Sequence, residues 1–139
     1  MVKATEFFQD LFTVDLQPDE ILTAVSFAPA KAGAYEKLYQ KASHYALVGV
    51  AAVLEVAGGK VSSARIGLTG ASTRALRLTA VEKALTGRAA SKESIEKASQ
   101  GAGAAVDPIN ADLHAGEEYR RAMIDVFVKR ALLKALARA

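Results

Sequence analysis

Hydrophobic and polar positions alternate along three stretches of the first half of the chain and recur at helical spacing in the second half. Ile21-Leu22-Thr23-Ala24-Val25-Ser26-Phe27 sets Leu22 opposite Ile21, Thr23 and Val25, the two-residue period of a strand. It follows Gln17-Pro18-Asp19-Glu20, a turn in which proline presets the backbone. Tyr35 to Lys41 alternates next, with Tyr35, Lys37, Tyr39 and Lys41 on one side. Leu47–Val56 and Val61–Leu68 form the clearest hairpin, joined by Ala57-Gly58-Gly59-Lys60, whose glycines supply the positive φ angles of a tight turn. The first of these strands is apolar at nearly every position, which predicts a central strand covered on both faces.

Helical signals stand at both ends. Thr5 caps a short predicted helix, Glu6 to Leu11, with an acid in its first turn. After Gly70 the period changes: Arg74 to Leu85 reads as a helix ended by Gly87, and Ser91 caps a second, Lys92 to Ala104, which closes near Asp107-Pro108. Ala115 to Arg138 reads as one long helix with Tyr119, Met123, Val126 and Phe127 as its first apolar stripe, broadening to Val128, Leu132, Leu133 and Leu136. Strands followed by helices predict an α+β fold: an antiparallel sheet of three to four strands covered on one face by about three helices. The expected layout is one domain over 1–139, with an initial helix, turn and first strand in 1–30, the sheet in 34–70 and the helices in 74–139. Gly101 to Ala105 is a weakly helical patch between the last two helices.

Composition narrows the chemistry. A chain of 139 residues with 51% hydrophobic content is long enough to bury a core, built from Ala, Val, Leu and Ile because tryptophan is absent and aromatics are few. With no cysteine, the chain holds no disulfide, thiol nucleophile or cysteine-ligated cluster. Its first residues do not read as a secretory leader, and the longest apolar run, Ala46 to Leu54, is too short for a membrane helix, so a soluble, cytoplasmic domain is expected. The net charge of +3 resides wholly in the last helix, where six basic residues face three acids, while the rest of the chain balances. A charged helix face without stacking aromatics does not read as a nucleic-acid surface.

No catalytic constellation stands out from the residues themselves. His44 and His114 are far apart and neither has a second ligand at helical spacing. Ser, His and Asp occur without a nucleophile elbow. Ala57-Gly58-Gly59-Lys60 lacks the spacing of a phosphate loop and reads as a turn. Gly67-Leu68-Thr69-Gly70-Ala71-Ser72-Thr73 runs from a strand through small residues toward a helix; its backbone N–H groups suit an anion, although a simple turn and helix cap account for it more directly. Asp10, Asp15, Asp19 and Glu20 have no fixed spacing and form no acid–base pair.

Three segments carry a resemblance. Thr5-Glu6-Phe7-Phe8 with Leu16-Gln17-Pro18-Asp19-Glu20-Ile21-Leu22-Thr23, then Lys37 to Ala52 with its Tyr45-Ala46-Leu47-Val48-Gly49-Val50-Ala51-Ala52 run, then Ile66 to Arg77 with Ala80 to Gly87 and Tyr119-Arg120-Arg121, occur in the order found in one family. The chain resembles the C-terminal domain of the FAD-binding medium subunit of molybdenum hydroxylases, the carbon monoxide dehydrogenase and xanthine dehydrogenase family. The family's N-terminal FAD-binding part, with its glycine-rich pyrophosphate loop, is not among these residues.

The resemblance implies a domain that closes over FAD and docks the iron–sulfur subunit, in a complex whose molybdenum cofactor and [2Fe–2S] clusters sit on the large and small partner subunits. It implies no catalysis by this domain alone. Leu22 falls where the family's strand touches the flavin ring. Gln40 takes a position often held by Lys or Arg that reaches toward the isoalloxazine; it keeps a donor and loses the charge. Lys41 restores a cation next door, although alternation points it the other way. His44 stands where the family usually has Asp. The alternative is a non-catalytic assembly module that uses a sheet edge or the last helix.

Overall fold

The structure is a computed structural model that describes residues 1–139. Its elements are α1 (Ala4–Phe7), β1 (Phe8–Asp10), β2 (Thr13–Val14), β3 (Ala32–Tyr39), β4 (Ala46–Ala57), β5 (Lys60–Thr69), β6 (Leu76–Arg77), α2 (Thr79–Leu85), α3 (Lys92–Ser99), a 3-10 turn at Gly103–Ala105, and α4 (Glu117–Leu136). β3 to β6 form one antiparallel sheet in that order, and β1 with β2 form a separate ribbon. The α+β expectation holds: helices cover one face of a four-stranded antiparallel sheet.

Register explains the layering. Paired residues of neighbouring strands share a face, so Ala34, Val50 and Leu68 point toward the helices together with Ala52, Leu54, Ile66 and Val48. α4 lies across β3 and β4 and meets them with Ile124, Phe127, Val128, Ala131, Leu132 and Ala135, a stripe at three- and four-residue spacing. α2 packs on β5 through Val81 and Leu85, and α3 closes the layer with Ile95. Each fully buried Leu, Ile or Val contributes roughly 1.5–3 kcal/mol of apolar transfer. The opposite face carries Tyr35, Lys37, Ala51, Arg65 and Gly67, and no helix covers it.

Several expectations are corrected. The strand predicted at Ile21 to Phe27 does not form; residues 21–30 are exposed and in no element. Alternation alone makes a strand only where a neighbour completes its hydrogen bonds, and none lies beside it. The first helix ends at Phe7, with Lys3 rather than Thr5 at its start and no side-chain cap, because Phe8–Asp10 turns back through Phe12 (φ 53°) to pair with β2. β4 is central but covered on one face only: Ala51 and Glu55 on its other side are exposed. The helix predicted from Arg74 begins at Thr79, since Leu76–Arg77 adds a short fourth strand.

The second helix ends at Ser99, although Ser91 does cap it, accepting from the Ser94 N–H at 3.3 Å. In α4 the inward residue is Ile124, while Tyr119 is exposed and the charged Arg120 is fully buried. The hairpin turn is as expected, with Gly58 and Gly59 at φ 57° and 71°. No helix is long and apolar enough to cross a membrane.

Candidate functional site

The sheet's most ordered surface feature is the corner between β3 and β4, residues 40–45. The Gln40 N–H donates to the Tyr45 carbonyl at 3.0 Å and the His44 N–H to the Gln40 carbonyl at 2.8 Å. The Gln40 side-chain carbonyl accepts from the Ala42 and Ser43 N–H groups, each at 2.7 Å, and from the Ser43 hydroxyl at 3.0 Å. Lys37 reaches from β3 to donate to the His44 carbonyl at 2.8 Å. His44 adopts the left-handed conformation (φ 60°), a region that Asp, Asn and His tolerate better than other side chains. The shared tolerance explains how His stands where the related family usually has Asp. Such backbone positions collect at ligand sites.

The corner displays rings to solvent. Tyr39 and His44 stack with centroids 5.0 Å apart and planes 21° apart, and Tyr45 meets His114 edge-on at 6.3 Å. All four are exposed. Lys37 and Lys41 add positive charge.

Beneath the corner, Arg120 holds three chain segments together with its guanidinium out of water. Nη1 donates to the carbonyls of Leu47 (2.8 Å) and Gly70 (3.1 Å), Nε to the Ala115 carbonyl (3.2 Å), and Nη2 to Asp112 Oδ2 (2.6 Å). Leu47 lies in a bulge, opposed by no residue of β3, so the arginine serves a carbonyl that the β3–β4 ladder skips. The other Asp112 oxygen accepts from the His114 and Ala115 N–H groups, fixing the loop that carries His114. The His114 N–H bond, opposed by desolvation and aided by Ala115 and Arg120, holds the Asp112 carboxyl below its ordinary range. Asn110 completes the strap, donating to the Ser72 carbonyl at 2.8 Å. Gly70 (φ 81°) permits the close crossing, because a Cβ there would overlap the Ala46 carbonyl.

Of the residues expected at a flavin, Gln40, Lys41 and His44 lie together on this corner. Leu22 does not join them: it sits on the exposed arm that precedes β3. Gln40 is engaged through its oxygen in shaping the corner, and Lys41 is exposed in the turn. Sequence reasoning passed over Tyr45 and Arg120. Tyr45 stands just ahead of an apolar run and was legible as a ring at a strand end. Arg120 was not, since nothing in the helix pattern distinguishes a buried arginine from a solvated one. The Gly70–Thr73 segment leads into β6 rather than a helix, and its Gly70 and Ser72 carbonyls are bound by Arg120 and Asn110; no helix N-terminus stands behind it.

A second, smaller feature ties the N-terminal ribbon to the domain. Arg74 donates to the Phe8 carbonyl at 3.3 Å, beside a cleft of about 260 Å³ lined by Asp10, Thr13, Thr69, Thr73 and Arg74. The Leu11 N–H, then the Thr73 hydroxyl, hold the Asp10 carboxyl below its usual range, with Arg74 adding to the effect and desolvation opposing it.

Known proteins share this arrangement. The chain is 36% identical over 142 residues to the carbon monoxide dehydrogenase medium chain of Afipia carboxidovorans, covering 100% of this chain and 49% of that protein. It is 30% identical over 138 residues to the nicotine 6-hydroxylase medium subunit of Paenarthrobacter nicotinovorans, covering 99% of this chain and 48% of that one. The carbon monoxide dehydrogenase of Hydrogenophaga pseudoflava, in the form lacking the Mo-pyranopterin moiety of its cofactor, superposes with a TM-score of 0.85 at 38% identity, over 96% of this chain and 47% of that one. The chain spans about half the length of the curated relatives it matches. Residues 33–135, from the second residue of β3 to the last turn of α4, match the family described as CO dehydrogenase flavoprotein C-terminal domain, and the chain belongs to that family.

Proposed function

We propose that this chain is the C-terminal portion of a flavoprotein subunit in a molybdenum-hydroxylase-type oxidoreductase. In that reading it closes over FAD and docks the iron–sulfur subunit, with a molybdenum-bearing large subunit completing the complex. The relatives named above and the geometry of the 39–45 corner support it; the corner carries the argument.

The corner fits a planar cofactor as one wall rather than as a whole site. It offers ring faces from Tyr39, His44 and Tyr45 and cations from Lys37 and Lys41, yet it encloses no volume of its own. The remaining walls, including any pyrophosphate loop, then come from the FAD-binding part of a longer subunit. Bound FAD would supply the transfer of electrons to an external acceptor.

The part played by this chain is placement and exclusion of water. Tyr45 and the Tyr39–His44 pair cover one side of the ring system. The Gln40 side-chain N–H group lies toward the same surface, with Lys41 beside it, where a donor and a cation favour negative charge. Leu22 approaches from the arm. Arg120 holds the corner to the sheet and so acts as a positioning residue. The chain's location is cytoplasmic in this reading, and the domain has no activity by itself.

The test uses the native protein, captured from its own cells with an antibody to this chain. Two co-purifying partners with flavin and iron–sulfur absorption are the expected result. A colourless chain without such partners overturns the reading.

A further inference from the structure

We propose that residues 20–28 form a β-strand added to the edge of a sheet in the companion FAD-binding portion, so that the arm is part of the neighbouring fold. The proposal rests on the function proposed above, because it takes a flavin-binding companion as the arm's partner.

Four observations converge on it. Ile21, Leu22, Val25 and Phe27 are 81%, 57%, 72% and 86% exposed, four large apolar side chains in seven residues left in water. Residues 21–31 make none of the hydrogen bonds of the structure, so a run of strand-forming residues presents its backbone groups unpaired. The arm is nonetheless held at both ends. A turn in which the Gln17 N–H donates to Glu20 and the Glu20 N–H to the Gln17 carbonyl launches it, and β3 receives it at Ala32. A segment fixed at both ends and extended between is presented for strand addition.

The chain's own sheet is a poor alternative partner. Near the start of β3, Arg138 of the last helix already donates to the Gly33 carbonyl and Lys134 pairs with Glu36. Pro29 interrupts the short connection to β3. All 22 residues of the core cluster lie between Ala34 and Ala135, so the domain is complete without the arm.

The comparisons divide the chain at the same place. The family match begins at residue 33, whereas the A. carboxidovorans medium chain aligns with all of the chain, and that protein is about twice as long. The arm therefore recurs with the whole subunit and lies outside the matched domain. Alternation sends Ile21, Val25 and Phe27 to one face and Leu22 to the other. The three-residue face buries against the companion, which leaves Leu22 directed back toward this domain, as its proposed flavin contact requires.

The experiment fuses the first half of the A. carboxidovorans medium chain, the part that precedes the aligned region, to this 139-residue chain. Hydrogen exchange is then followed at residues 20–28 in the fusion and in the chain alone. Exchange slowed about a hundredfold or more in the fusion is expected, with Val25→Pro abolishing the slowing. Equal, fast exchange in both proteins, with 46–69 protected, overturns the proposal.

If the fusion does not fold, the aligned segment of the native A. carboxidovorans medium chain decides in its place: protected there, the proposal stands, and fast there, it falls. Deleting residues 1–30 from the chain alone is expected to leave its melting temperature within about 2 °C, and a fall of about 5 °C or more shows that the arm belongs to this domain instead. Flavin absorbance of the fusion separates the two readings. Flavin without protection removes the strand proposal only, and protection without flavin removes the FAD-covering role only.

Discussion

Replacing Arg120 with leucine removes the one cation buried in the fold. Its guanidinium, 1% exposed, serves the carbonyls of Leu47, Gly70 and Ala115 and the Asp112 carboxylate. The losses differ. Gly70 keeps a long bond from Asn110 at 3.4 Å, and Ala115 keeps the Asp112 N–H at 3.2 Å, while Leu47 sits in the bulge without a β3 partner.

An orphaned buried carbonyl costs about 1–3 kcal/mol. The Asp112 side chain is 39% exposed and regains water, so the further cost of the broken ion pair stays at the low end of the range for buried pairs. The sum is about 3 kcal/mol, against a total stability on the order of 5–15 kcal/mol for a domain of this size. That corresponds to a fall of about 10 °C in melting temperature. Urea unfolding of the two proteins, with unchanged m-value, gives the difference directly. Arg120→Lys keeps the charge but not the fork and is expected to lose about half as much. Hydrogen exchange is expected to quicken at 44–47, 70–73 and 112–116. A loss below about 1 kcal/mol for Arg120→Leu refutes the reasoning, since it means the carbonyls find other partners without cost.

Asp112 has a depressed carboxyl pKa when folded, so its stabilisation is complete above its ordinary value of 3.8 and is lost as pH falls through the folded value; Asp112→Asn is expected to flatten the acid side of a stability–pH curve. Gly70→Ala forces a side chain into positive φ against the Ala46 carbonyl, an expected loss of about 2–4 kcal/mol in chemical unfolding, whereas Gly58→Ala, whose Cβ meets nothing, costs about 1 kcal/mol. Ile124→Ala empties the contact between α4 and the sheet and is expected to cost about 2–5 kcal/mol. Val25→Ser, on the exposed arm, is expected to change the stability of the chain alone by less than about 0.5 kcal/mol by the same assay.

Local pattern was enough for much of this fold. The β4–β5 hairpin, its two-glycine turn, the Ser91 cap, the glycine after α2 and the long last helix all rest on interactions within a few residues, and those are written in the chain. The corner at 40–45 was legible for the same reason: an alternating strand breaks at Ser43-His44-Tyr45 and an apolar one follows. Tyr35, Lys37 and Tyr39 share a face, as their spacing required.

What depended on distant partners was decided only by tertiary structure. Leu76–Arg77 is a strand because β5 lies beside it and Glu82 caps the Ile66 N–H where that strand ends, although its sequence reads as helix. Ile21 to Phe27 has the alternation of a strand and is none, because no edge meets it within this fold. Arg120 looks like one more charge on a basic helix until packing brings Leu47, Gly70 and Asp112 around it. Periodicity encodes which face a residue takes, and the hydrogen bonds of a turn or cap close within the segment that writes them. A sheet edge, a bulged carbonyl or a buried guanidinium is satisfied by groups tens of residues away, and only the folded arrangement brings those groups together.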